Sequence, residues 1–179
     1  MSLTRVVFGL FEFLISLVIT VLVVYLSYTI FSRANPDYDE EDELNKGNVA
    51  VAILLTAIMV SSAIIIQKGL FPIMTLLRMY FTSPMKESIG QWQMMGYALA
   101  HFVMVFALSV FSISLALRLF GKLTRKIKEG RELKKGNVAV GIVLAGVVLI
   151  VSAYVGDSIN SLAKSLIPEP SIGKIRILK

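Results

Sequence analysis

Four long apolar blocks alternate with short polar stretches along the chain. Val6–Phe31, Asn48–Gln67, about Gln93–Leu119 and Asn137–Gly156 carry few charges, and each is about as long as the roughly 20 residues with which a helix crosses about 30 Å of hydrocarbon. The pattern predicts four transmembrane helices. A signal peptide is the rival reading of the first block, but its apolar region would be about 7–15 residues followed by a small-residue cleavage site. This block is longer and carries Glu12. Leu70–Thr82 is apolar around Pro72 and Arg78. Proline kinks or breaks a helix, so helix two is expected to end near Gln67-Lys68-Gly69, with an interfacial or kinked segment over about 69–92.

The second and fourth blocks open alike. Glu43-Leu-Asn-Lys-Gly-Asn-Val-Ala-Val-Ala-Ile-Leu-Leu55 returns 89 residues later as Glu132-Leu-Lys-Lys-Gly-Asn-Val-Ala-Val-Gly-Ile-Val-Leu144, with ten of thirteen positions identical. Internal repeats of this kind reveal the architecture. Within one membrane domain spanning 1–179, repeat one is expected over about 4–68, repeat two over about 93–157 and a polar tail over 158–179. Two spans per repeat send both copies into the membrane in the same direction. The expectation is an all-α four-helix bundle with a pseudo-twofold axis along the membrane normal, unlike the inverted repeats of many transporters. Both termini then lie on one side and the two charged loops on the other.

Composition agrees with that class. The chain is 56% hydrophobic and 17% charged, against about 25% charged in soluble domains, and its mean hydropathy is +0.76. The absence of cysteine removes disulfides, thiol nucleophiles and thiolate metal sites. The net charge of +6 does not argue for nucleic acid, because the basic residues sit at the ends of apolar blocks, where they anchor helices and set topology. Ten Lys and Arg fall on the loop side and eight on the terminal side, a small excess that leans toward cytoplasmic loops and external termini.

The repeated motif has a direct physical use. Asn is among the best helix N-caps, so Gly47-Asn48 and Gly136-Asn137 are expected to cap helices two and four, with Glu43 and Glu132 upstream where the helix dipole favours anions. A polar site that pairs the two Asn residues across the pseudo-axis is the sharper alternative. Further along, Ala52, Thr56 and Ala57 map onto Gly141, Ala145 and Gly146, and small residues at this spacing let helices approach closely in lipid. No phosphate loop follows these glycines, since the Lys-Ser or Lys-Thr of that motif is missing.

The same offset of 89 carries Glu12 onto His101, the only histidine, and Lys68 onto Asp157. Lys68 and Asp157 lie at the ends of their predicted helices, so the four ionisable groups are expected to gather at one mouth. Ionisable residues in membrane spans normally face the bundle interior or a water-filled cavity. Glu12, Ser16 and Thr20 line one helical stripe, with His101, Val105 and Ser109 as their counterparts. The candidate intramembrane site is therefore Glu12, His101, Thr20, Ser109, Lys68 and Asp157, with Glu12 facing His101 across the axis. It serves either as hydrogen bonds that set helix register or as a proton or cation path.

A pair of two-helix units, each with its second helix opened by Gly-Asn-Val-Ala-Val and continued by small residues, resembles the prokaryotic membrane family catalogued as domain of unknown function 350, the YjfL-like proteins. The resemblance covers nearly the whole chain. It implies a multi-pass protein of a bacterial or archaeal plasma membrane, and it carries over no catalytic residues.

The acidic run Asp37–Glu43 lacks the central Gly and terminal Glu of an EF-hand and reads as a solvated charged loop, opposite in sign to the basic loop on the same face. Loops 35–46 and 122–135 are candidate surfaces for a protein partner, and the basic one for anionic lipid headgroups. One histidine, no cysteine and no Glu-x-x-His pair leave no nucleophile or metal site, so neither an enzyme nor a cofactor is expected. The expected function is that of a homo-oligomeric membrane scaffold or partner subunit, and the alternative is an ion or proton channel or small-solute transporter using the Glu12 and His101 stripe.

Overall fold

The computed structural model describes residues 3–34, 39–82, 90–123 and 128–166. The remaining parts of the predicted loops and tail lie outside it. The described chain is all-helical: α1 Leu3–Ala34, α2 Glu40–Asn45, α3 Val49–Thr82, α4 Gln91–Leu123, α5 Glu129–Lys134 and α6 Val138–Ser165. Four of these, α1, α3, α4 and α6, are long and apolar enough to cross a membrane. At 1.5 Å per residue the 34 residues of α3 extend about 51 Å, well beyond about 30 Å of hydrocarbon.

Helix two does not stop near Gly69. It continues as α3 to Thr82 with Pro72 inside, so residues 69–82 are an extension of the helix. A proline interior to a membrane helix is tolerated when neighbouring groups satisfy the freed backbone. Helix four likewise runs on to Ser165, so the first part of the predicted polar tail is helical. The charged loops are also more ordered than expected: each contains a six-residue helix, α2 or α5, whose ends are again 89 residues apart.

The bundle is organised around α3. Its contact with α6 is by far the most extensive, α4 packs on both of them, and α1 packs extensively on α3 alone among the long helices. α3 and α6 run parallel. A Cβ on Gly141 would stand 2.7 Å from the Ala50 carbonyl oxygen, and one on Gly156 would stand 2.8 Å from Lys68 Cδ, so glycine is what allows this approach. Gly141 and Ala145 are buried in α6, whereas Ala52 is half-buried and Thr56 is exposed on α3. On α3, Ala50, Ile65 and Lys68 lie against the α6 glycines, and Leu54, Ala57 and Ser61, on the same helical face, are buried with Ala50 and Ile65.

The helices therefore do not meet through equivalent faces. Ala50, Leu54, Ser61 and Ile65 are buried, while their equivalents in α6, Ala139, Val143, Ile150 and Tyr154, are exposed. A strict twofold would bury both members of each pair; here one face of α3 meets a different face of α6.

Candidate functional site

The two corners that lead into α3 and α6 have nearly the same geometry. Lys46 closes α2, Gly47 takes φ of 74°, and the Gly47 and Asn48 amides donate to the carbonyls of Leu44 and Glu43 at 2.9 Å. This is a Schellman turn, which requires a left-handed residue and so favours glycine. At the second corner Gly136 has φ of 77°, and the Gly136 and Asn137 amides reach Leu133 and Glu132 at 2.9 and 3.0 Å.

Each Asn closes one helix and caps the next. Asn48 Oδ1 accepts from the Val51 amide at 3.3 Å, and its Nδ2 donates to Glu43 Oε2 at 2.8 Å. Asn137 repeats both bonds, to Val140 at 3.4 Å and Glu132 at 3.0 Å. Lys46 and Lys135 add ion pairs to Glu43 and Glu132. The amide of Asn48, helped by Lys46, holds the Glu43 carboxyl below the ordinary carboxylate value. Asn137 and Lys135 do the same for Glu132, and Asp42, then Glu43, push Lys46 up.

Two features distinguish the corners. Asn48 Nδ2 also donates to the Leu133 carbonyl at 2.8 Å, clasping the second corner against the first. Asp39 caps α2 through the Glu41 and Asp42 amides, whereas Lys128 at the start of α5 has no side-chain cap bond. The charges of α2 are largely committed to local bonds, including one from Tyr28 on α1 to Glu41. Arg131 and Lys134 of α5 are exposed, with no ion pair among the described residues.

The structure does not bring Glu12 and His101 together. Arg78 on α3 pairs with Glu12 Oε2 at 2.6 Å, and His101 lies 3.0 Å from the Gly69 carbonyl. A carbonyl only accepts, so the His101 Nε2 must carry the proton. His101 is buried where α4 enters a notch on α3: a Cβ on Gly69 would collide with Val105 Cγ1. The absent side chain of Gly69 opens that notch, and Pro72, one turn on, supplies no amide to the Lys68 carbonyl.

Lys68 and Asp157 do meet, at 2.9 Å, and Lys68 also reaches the Ala153 carbonyl at 3.4 Å. They lie inside α3 and α6 rather than at helix ends, about 15 Å along α3 from Arg78 at 1.5 Å per residue. The four ionisable groups therefore do not share one mouth. Ser109 is fully buried, its hydroxyl without a hydrogen-bond partner among the described residues, as are those of Ser27, Ser61 and Ser62. Thr20 bonds back to the Ser16 carbonyl at 2.8 Å.

A groove of about 490 Å³ separates α1 from α3, with Glu12, Ser16, Thr20 and Gln67 among its lining residues. A second, of about 290 Å³, lies beside His101 between Tyr97 and Leu166. The residues missed by sequence reasoning are the partners on α3, Gly69 and Arg78. Arg78 is a lone cation in an apolar segment, whereas the repeat offset of 89 points from Glu12 to its own counterpart, His101. Among the described residues no cluster of His, Asp and Glu is placed to hold a metal ion.

No curated protein and no solved structure matches the chain. A family model described as Domain of Unknown Function (DUF350) matches residues 5–159, most of the chain. This four-span membrane protein therefore belongs to the DUF350 family.

Proposed function

We propose that the protein is a self-associating scaffold or partner subunit in a prokaryotic plasma membrane, not an enzyme. The observation that carries this reading is the separate pairing of its ionisable groups within the spans. Glu12 is held by Arg78, Lys68 by Asp157 and His101 by the Gly69 carbonyl. Groups paired on different sides of α3 serve helix register, as interhelical polar contacts in membranes do. Association has material to work with, because Thr56, Gln67, Ser16 and Thr20 are polar, exposed and within the spans. The exposed cations of α5 offer a further contact for anionic headgroups or an acidic partner.

The mass of the purified chain in lipid nanodiscs tests this reading. More than one copy per particle is expected at low loading, and a single copy at every loading would contradict it. The four polar residues in the otherwise apolar lining of the groove between α1 and α3, Glu12, Ser16, Thr20 and Gln67, favour a second reading, passage of protons or small cations, for which flux is the test.

A further inference from the structure

We infer that copies of this chain join head to tail, with α6 of one copy seated in the groove between α1 and α3 of the next. This deepens the self-association reading and rests on it. The inside of one protomer already shows the arrangement. There α3 lies against the pair α4 and α6, and the residues beneath it are sequence equivalents of the open groove. Ser16, Thr20 and Val24 on α1 correspond to Val105, Ser109 and Ile113 on α4; Ala63, Gln67 and Met74 on α3 correspond to Ser152, Gly156 and Ala163 on α6. All six in the second repeat are buried, Val105 against Gly69 and Gly156 against Ile65 and Lys68. Of the six in the first, five are exposed and Met74 is half-buried.

The complementary half is free as well. The face of α3 that covers the second repeat contains Ala50, Leu54, Ser61 and Ile65, and its equivalents on α6 are outward-facing, with Val143, Ile150 and Tyr154 at 51%, 61% and 78% exposure. One chain thus carries an occupied socket with its plug, an open socket and an unused plug. A heterologous contact of this kind adds copies until a ring closes or a filament grows.

Lipid can cover exposed apolar residues, so the polar ones decide the occupant. Hydrocarbon leaves a buried amide or hydroxyl without a hydrogen bond, and the side chain of Gln67 has no partner among the described residues. Repeating the internal seam between copies supplies one: Gly156, its equivalent, faces Lys68 and Ile65, so Gln67 would face their equivalents, Asp157 and Tyr154, of the next copy. The Lys68–Asp157 pair recurs with its roles exchanged, placing Asp157 beside Lys68 of the next copy. The Asn48 bond to the Leu133 carbonyl becomes one from Asn137 to the carbonyl of Leu44. The Gly69–Val105 contact becomes Ser158 against Ser16, two small residues in place of none and a larger one, and sets the Ser158 hydroxyl near Glu12. Two positions fit less well: Ala52 takes the place of Gly141 and Gln67 that of Gly156, the two glycines that admit the close approach in the seam, so this interface stands more open than the seam.

The chain contains no cysteine, so paired cysteines report the contact directly. Ser16→Cys with Ser158→Cys in one chain should give, on oxidation in native membranes, a ladder of dimers, trimers and larger species on a non-reducing gel. Each single variant should remain monomeric on the gel, and a mixture of the two singles should stop at dimers. Leu44→Cys with Asn137→Cys provides a second pair should the first impair folding, judged by its elution profile. Equal cross-linking by a single variant would show a symmetric contact and overturn the inference. Several copies per nanodisc with no ladder from either pair would overturn the inference alone, and one copy per nanodisc would overturn the self-association reading with it.

Discussion

The two repeats agree at their corners and part company in their helices. Residues 43–48 and 132–137 make the same Schellman turn, the same Asn cap and the same Asn–Glu bond. Beyond the corner, α3 is the centre of the bundle and α6 covers only one side of it. The difference shows which features travel with a copied sequence. Local geometry does, because backbone hydrogen bonds and one left-handed glycine define it. Tertiary use does not, because a few unequal positions, Gly69 against Ser158 and Gly141 against Ala52, decide which helix approaches which face.

The largest effect should come from the seam. Replacing Gly141 by Leu drives a side chain into the Ala50 backbone and should cost about 3 kcal/mol of unfolding free energy, the upper part of the overpacking range. Gly146→Leu, with nothing within 4 Å of its added Cβ, should change stability by about 0.5 kcal/mol or less. Denaturant titration in detergent micelles checks both, and equal losses would break the account of the seam.

The α4 notch comes next. Gly69→Val should cost about 2 kcal/mol, since its Cβ would meet Val105 and Ile159, and the change should loosen the His101 contact. Ser158→Val, at the equivalent exposed position, should stay within about 0.5 kcal/mol in micelles that separate the copies. A similar cost at both sites would mean that the repeats use these positions alike.

At the corners the asymmetry is smaller. Asn48→Ala loses a cap and the clasp to Leu133, about 2 kcal/mol together, while Asn137→Ala loses a cap worth about 1 kcal/mol. Thermal melts of the two variants in micelles that separate the copies should therefore differ, with Asn48→Ala the lower.

Acid should act on both corners. Glu43 and Glu132 have folded values below 4.5, so their stabilisation is complete above that pH and is lost as pH falls through the depressed values. Lys46 is raised above 10.5, so its contribution is present below that pH and is lost as pH rises through the raised value. Amide hydrogen exchange at Gly47, Asn48, Gly136 and Asn137 should quicken below pH 4.5, and unchanged protection after correction for intrinsic rates would contradict this.

Much of the architecture was legible in the sequence. Apolar block length yielded the four helices, and Lys-Gly-Asn marked both corners, because cap and turn chemistry is local. The six-residue helices within the charged loops were not legible: their charges obscured any apolar period, and α5 lacks a side-chain cap. The run-on of α3 past Pro72 was hidden by a rule from water-soluble helices that neighbouring membrane helices relax. The partners of Glu12 and His101 were hidden for a deeper reason. Sequence offset assumed that equivalent residues face one another, whereas the seam joins unlike faces, so both groups found partners on α3. Lys68 and Asp157 do meet, because parallel packing keeps this pair within reach.

The claim that these polar residues serve assembly rather than passage is tested most directly by proton and cation flux into liposomes carrying the purified protein, beside Glu12→Gln and His101→Ala. No flux above protein-free liposomes is expected for any of the three, at every pH tested. Flux through the wild-type protein that either substitution abolishes would contradict it and make the α1–α3 groove or the His101 notch part of a path.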